Sequence, residues 1–136
     1  MKLATLRTGF GTSAIRIDGD NVGVELDYED VGQLLRSEDW RKAAQLSGEP
    51  VVFDHADLEA VVPNPGKIIC VGLNYAKHIR EMGREFPEHP TLFIKFADAL
   101  TGPYDDVFIP EFATQKLDYE GELAVIIGCL LYTSPS

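Results

Sequence analysis

The 136-residue sequence predicts an α+β fold that is mainly β, opening with a small strand-rich domain. Three observations predict it. Apolar residues alternate over short runs punctuated by Gly, Asp and Asn, which is how half-buried strands joined by tight turns are written. Helical spacing occurs only in brief stretches. The densest cluster of chain breakers, Pro63-Asn64-Pro65-Gly66, separates two texts of different character and sets a boundary between residues 1–62 and 63–128.

In chain order, residues 3–7, 13–17 and 21–26 read as strands, turned by Gly9-Phe10-Gly11 and by Asp18-Gly19-Asp20-Asn21. Residues 31–36 and 39–46 have helical spacing, with Asp39 at an N-cap position and Gly48-Glu49-Pro50 as a stop. Residues 51–53 return as a strand. Past the boundary, 67–72 is a short apolar strand that feeds a helix over 74–82. A strand at 91–95 follows, then a turn at Gly102-Pro103-Tyr104-Asp105, a short strand at 107–109 and a long alternating one at 117–127. Residues 129–136 come straight after a strand that would need neighbours on its edges, and they read as a non-native tail on a C-terminally truncated chain.

Composition narrows the function. Hydrophobic residues at 45% and charged residues at 25% are ordinary globular values, which excludes a disordered or collagen-like chain. Twelve basic against 22 acidic residues give a net charge of −10, and phosphate recognition relies on clustered cations, so nucleic acid and anionic membranes are excluded as partners. No run approaches the roughly 18 apolar residues of a membrane span, and the first residues lack a signal-peptide core, so the expected address is the cytoplasm. Cys70 and Cys129 lie in or after apolar runs without ligand spacing, as reduced core cysteines do.

Two motifs are set aside. Gly9-Phe10-Gly11-Thr12-Ser13-Ala14 matches a dinucleotide pattern, but a strand follows it where a helix would be needed to meet the pyrophosphate. Asp18, Asp20, Gly23 and Glu29 fit a calcium loop only until Val22, which stands where an oxygen ligand is required. His55 and His89 have no partner at metal or catalytic spacing and read as surface or capping histidines.

Three groups of residues could carry chemistry. Alternation over 117–123 puts Asp118, Glu120 and Glu122 on one strand face. The ordinary reading is an amphipathic strand with its acidic face in water, and on pattern alone it is the stronger one. The sharper reading is a hard-cation site. Carboxylates two apart have Cα atoms roughly 6–7 Å apart, close enough to converge on an ion with oxygen ligands at about 2.1 Å, and Gly121 between them leaves room for close approach. His78 and Glu81 are three apart on a helix, where a carboxylate can orient an imidazole as a general base or the two can be an incidental surface pair. Lys95 ends an apolar strand, as a solvated terminus or as a cation facing developing enolate charge.

Together, Pro65-Gly66-Lys67-Ile68-Ile69-Cys70-Val71-Gly72-Leu73-Asn74-Tyr75-Ala76-Lys77-His78, then Glu81, Lys95 and Asp118-Tyr119-Glu120-Gly121-Glu122-Leu123, resemble the fumarylacetoacetate hydrolase family in order and spacing. The similarity runs over about 63–128. It points to members of the kind of bacterial acylpyruvases and 2-hydroxyhepta-2,4-diene-1,7-dioate isomerases, whose small leading domain the N-terminal strands resemble. The resemblance implies a mixed β-sandwich or roll, here incomplete, folded around Mg²⁺ or Mn²⁺ and usually homodimeric. It also implies that Glu120 and Glu122 are metal ligands, His78 with Glu81 a water-activating dyad, Lys95 the oxyanion lysine, and Tyr75 with Lys95 contacts to a small oxo acid substrate. The family's third metal ligand, a later aspartate, has no counterpart in the sequence.

The implied reaction is hydrolysis of a carbon–carbon bond in a 2,4-dioxo acid through a metal-bound enolate. Decarboxylation of a 2-oxo acid or tautomerisation of a dienol on the same site is the alternative, and a non-catalytic remnant a further one. The fragment as it stands is expected not to turn over.

Overall fold

The computed structural model describes residues 1–115 and 117–128, which divide into two compact units. One comprises Met1–Val62 with the described residues from Thr101 onward, and the other is Pro63–Leu100. Among the described residues the architecture is mainly β with a few short helices, the α+β class expected.

In the first unit, β1 (Lys2–Thr8) and β2 (Gly11–Ile17) form a hairpin in register from Lys2↔Ile17 to Thr8↔Gly11. Only Gly9 and Phe10 lie between the paired ends, and Gly11 closes the turn at φ 136°, a region closed to residues with a Cβ. β3 (Val22–Glu25) pairs with β2, β4 (Pro50–Val52) with β3, and β5 (Leu58–Glu59) with the other edge of β1. The antiparallel order is β4-β3-β2-β1-β5, which leaves Pro50 on an edge strand, where its missing N–H breaks no central ladder.

Alternation along the strands fills two clusters. Ala14 and Leu26 pack with Val31 and Leu34 of α1 (Val31–Leu34) and with Ala44, which follows α2 (Trp40–Ala43). Ala4, Leu6, Ile15 and Phe53 form the second cluster. Thr5 is wholly buried, and its hydroxyl accepts from Val31 N–H at 3.1 Å and donates to the Val61 carbonyl at 2.8 Å. One side chain thus ties the start of α1 and the chain near Val61 to the central hairpin.

The helices are shorter than the spacing predicts. α1 begins where Asp30 accepts from Gln33 N–H at 2.7 Å, whereas Asp39 makes no capping hydrogen bond, and each helix is one turn long. Helices this short have little intrinsic stability and persist through packing, which is why their ends do not follow apolar spacing. The strands predicted at 107–109 and 117–127 do not form. No ladder pairs these residues among those described, and alternation yields a strand only where a neighbour takes up its N–H and C=O groups. β5 was not legible for the complementary reason, being two residues long and held by its partner.

An ion cluster fastens residues 101–105 within the same unit. Arg7 Nε donates to Glu59 at 2.8 Å and its Nη1 to Asp105 at 2.7 Å. Asp105 also accepts from the Gly102 N–H at 2.8 Å and from the Thr101 hydroxyl at 3.0 Å. The Arg7 guanidinium, and then the Gly102 amide, hold the Asp105 carboxyl well below the usual carboxylate range, and Arg7 likewise depresses Glu59. Gly102 has to be glycine, since a Cβ would stand 2.6 Å from both Arg7 Nη2 and the Leu58 carbonyl oxygen.

The second unit pairs β6 (Ile68–Gly72) with β7 (Thr91–Lys95), antiparallel from Ile68↔Lys95 to Gly72↔Thr91, beside α3 (Ala76–Glu81). Its one buried side chain is Ile79, at 2% exposure, and all five residues of β7 are exposed.

Candidate active site

β6 delivers the chain to α3 in three residues, Leu73, Asn74 and Tyr75. Leu73 makes the bend at φ 54°, a left-handed conformation costing about 1–2 kcal/mol for a residue with a Cβ. Strain of this kind persists only where the surroundings over-determine it, and it gathers near functional sites. Tyr75, 44% exposed, is the N-cap residue of α3.

His78 and Glu81 follow on the exposed surface of α3, three residues apart and so neighbours along the helix. Glu81 Oε1 lies 3.8 Å from Lys77 Nζ, and no hydrogen bond joins Glu81 to His78. The two are thus neighbours on one helix surface and are not locked together. Lys95, the last residue of β7, is exposed and opposite Ile68. Pro63–Leu100 therefore holds Tyr75, His78, Glu81 and Lys95.

Glu120 and Glu122 belong to the other unit. Both are exposed in irregular backbone, and nothing lies within 4 Å of the place a Cβ would take at Gly121. The expected acidic strand face is thus absent, although the two carboxylates remain open to solvent. Their oxygen donors suit a hard divalent cation in kind. In number they fall short, since among the described residues no three of His, Cys, Asp and Glu are grouped to hold an ion.

A cleft of about 270 Å³ opens beside α3, lined by Val71, Leu73, Asn74, Ile79, Phe86 and His89 among others. Sequence reasoning set His89 aside and left the 83–90 loop unassigned, because a cleft wall of Pro, Phe and His carries no periodicity. His55, by contrast, is half-buried. It lies in a 3₁₀ turn closed by Asp54 and Asp57, with Nε2 2.8 Å from the Asp20 carbonyl oxygen and its ring stacked on Tyr104 at 5.6 Å.

Comparison with known proteins adds identity to this geometry. Residues 67–133 match the family described as fumarylacetoacetate (FAA) hydrolase C-terminal. Oxaloacetate tautomerase YisK from Bacillus subtilis (strain 168) is 53% identical over 74 residues, 52% of this chain and 25% of that protein. The mitochondrial oxaloacetate tautomerase FAHD2A from Bos taurus is 49% identical over 69 residues, 51% of this chain and 22% of its own. A crystal structure of an HpcE-like protein from Mycobacterium smegmatis superposes with a TM-score of 0.65 at 28% identity, covering 82% of this chain and 41% of that one. The chain thus spans about a quarter of the length of these curated relatives. It belongs to the fumarylacetoacetate hydrolase family. Among the described residues no helix is long and apolar enough to cross a membrane.

Proposed function

We propose that the complete protein is an enzyme that interconverts the enol and keto forms of a small 2-oxo acid of the oxaloacetate type. The observation that carries this reading is the 49–53% identity to oxaloacetate tautomerases over half the chain. His78, oriented by Glu81, takes the proton from the enol hydroxyl. The oxygen's electron pair then re-forms the carbonyl as C3 accepts a proton. Lys95 supplies positive charge to the developing enolate oxygen, which lowers the barrier. Tyr75, at the foot of α3, contacts the acid. Glu120 and Glu122 would hold a divalent cation, Mg²⁺ or Mn²⁺, and the chemistry such an ion supplies is that of a Lewis acid. The complete protein is proposed to be a cytoplasmic homodimer.

The test follows the decay of enol oxaloacetate by ultraviolet absorbance with the intact protein. The expected rate exceeds that of buffer with Mg²⁺, and His78→Ala lowers kcat by roughly 10²–10⁴-fold. An unchanged rate in His78→Ala refutes the dyad, and no acceleration by the wild type refutes the activity.

A second reading, favoured by the family's description as a hydrolase, is cleavage of acylpyruvates. Here His78 and Glu81 deprotonate water, hydroxide adds to the distal carbonyl, and the carbon–carbon bond breaks to release a carboxylic acid and the enolate of pyruvate, which is then protonated. Consumption of acetylpyruvate with formation of acetate selects this reading. Carbon dioxide release from oxaloacetate marks decarboxylation instead.

A further inference from the structure

The chain leaves the first unit at Val62 and re-enters it at Thr101, so Pro63–Leu100 is an excursion from a single body. Both ends of the excursion are fastened to β1. At the exit, the Thr5 hydroxyl donates to the Val61 carbonyl at 2.8 Å, and Val62 approaches α1 so closely that a Cβ at Gly32 would stand 2.8 Å from its Cγ1. At the return, Arg7 donates to both oxygens of Asp105, which also gathers the Gly102 N–H and the Thr101 hydroxyl, and a Cβ at Gly102 would strike Arg7 Nη2. Glu59, in β5, holds the same guanidinium through Nε. All these contacts lie within the first unit. Thr5 and Arg7 are two apart on one strand, so they share a face and their Cα atoms are about 6–7 Å apart.

What lies between the two anchors is a ribbon. β6 begins at Ile68 and β7 ends at Lys95, and these two residues stand opposite each other in the ladder. Residues 63–67 lead from the exit to β6, and residues 96–100 lead from β7 to the return, so each connection spans at most about 20 Å. The inner ends of the strands are joined through 73–90, and the outer ends run straight to the anchors. A two-stranded ribbon is marginal by itself, and holding its outer ends together removes chain entropy from its open form.

We infer that Thr5 and Arg7 of β1 clamp the β6–β7 ribbon closed from outside, and that the Arg7–Asp105 contact is the releasable half of the clamp. Thr5 is wholly buried, whereas the Arg7 and Asp105 side chains are 34% and 30% exposed, within reach of water and salt. The clamp governs the order of the segment that carries His78, Glu81 and Lys95, whichever reaction they serve.

Amide hydrogen exchange of the ¹⁵N-labelled full chain tests this. It is read at the ladder amides of 68–72 and 91–95 and, for the first unit's core, at Ala14 and Leu26, whose N–H groups donate to the Tyr28 and Ala14 carbonyls. Asp105→Asn removes the charge that Arg7 holds and should speed exchange in the ribbon about threefold to tenfold, with the two core amides unchanged. Gly102→Ala displaces the same anchor without removing a charge and should act in the same direction. Asp18→Asn breaks an ion pair that touches neither anchor, with Arg16 Nε at 2.7 Å, and should leave the ribbon as it was. Ribbon exchange unaltered in either Asp105→Asn or Gly102→Ala overturns the inference, and so does equal acceleration in Asp18→Asn or at Ala14 and Leu26. Ladder amides that exchange at unprotected rates in the wild type overturn it too. If Gly102→Ala does not fold, Asp105→Asn decides alone.

Discussion

The two units differ in what they bury. Met1–Val62 holds two apolar clusters, one of them under α1, together with a fully satisfied buried threonine. Pro63–Leu100 buries only Ile79 and exposes both faces of β7. A two-stranded ribbon with one helix is marginal in water, so the first unit carries its own stability and the second carries little. The residues proposed as base, orienting carboxylate and oxyanion lysine all sit in the second. The proposed acid–base residues thus lie outside the unit that has its own core, whereas the proposed metal ligands Glu120 and Glu122 belong to that unit.

Cavity-forming substitutions give the sharpest break. Leu34→Ala, at a fully buried position, should lower the unfolding free energy by about 2–5 kcal/mol in urea. Ile79→Ala should leave that transition in place and instead speed amide exchange over residues 68–95. An equal loss in the main melt would mean that the units do not differ as described.

Thr5→Val comes next, at about 1–3 kcal/mol, because the Val31 N–H and the Val61 carbonyl lose their buried partner. Val31 amide exchange should rise with it.

Acid offers a third contrast. Asp105 and Glu59 have depressed folded-state values, so their contribution is complete above the unfolded range near about 4 and is lost as pH falls through the folded values. The first unit's melting temperature should therefore drop below about pH 4. Asp105→Asn should make that decline shallower, and a slope identical to wild type would remove the ion cluster from the account. The smallest effect is Lys77→Ala, which removes an exposed pair and should change stability by less than about 0.5 kcal/mol.

Much of the strand pattern was legible because it rests on local rules. Alternation and turn residues wrote β1, β2 and β3, and an apolar run bounded by breakers wrote β6. What escaped depends on partners distant in sequence. β5 exists through Leu6 and Thr5 across the ladder, and the 101–105 loop through Arg7, nearly a hundred residues away. Alternation over 117–127 misled for the same reason, since it records a face to bury and not the neighbour that would bury it. Around α3, the spacing of His78 and Glu81 was legible because a helix turn fixes it, whereas the pairing of Glu81 with Lys77 instead of His78 was not. The cleft beside α3 was invisible, because Leu73, Phe86 and His89 share no period.

The metal-site part of the functional account rests on the acidic pair. Calorimetric titration of the chain with Mg²⁺ tests it directly: it predicts millimolar binding that is lost in both Glu120→Gln and Glu122→Gln. Absence of binding heat, or the same affinity in the two variants as in wild type, would contradict it.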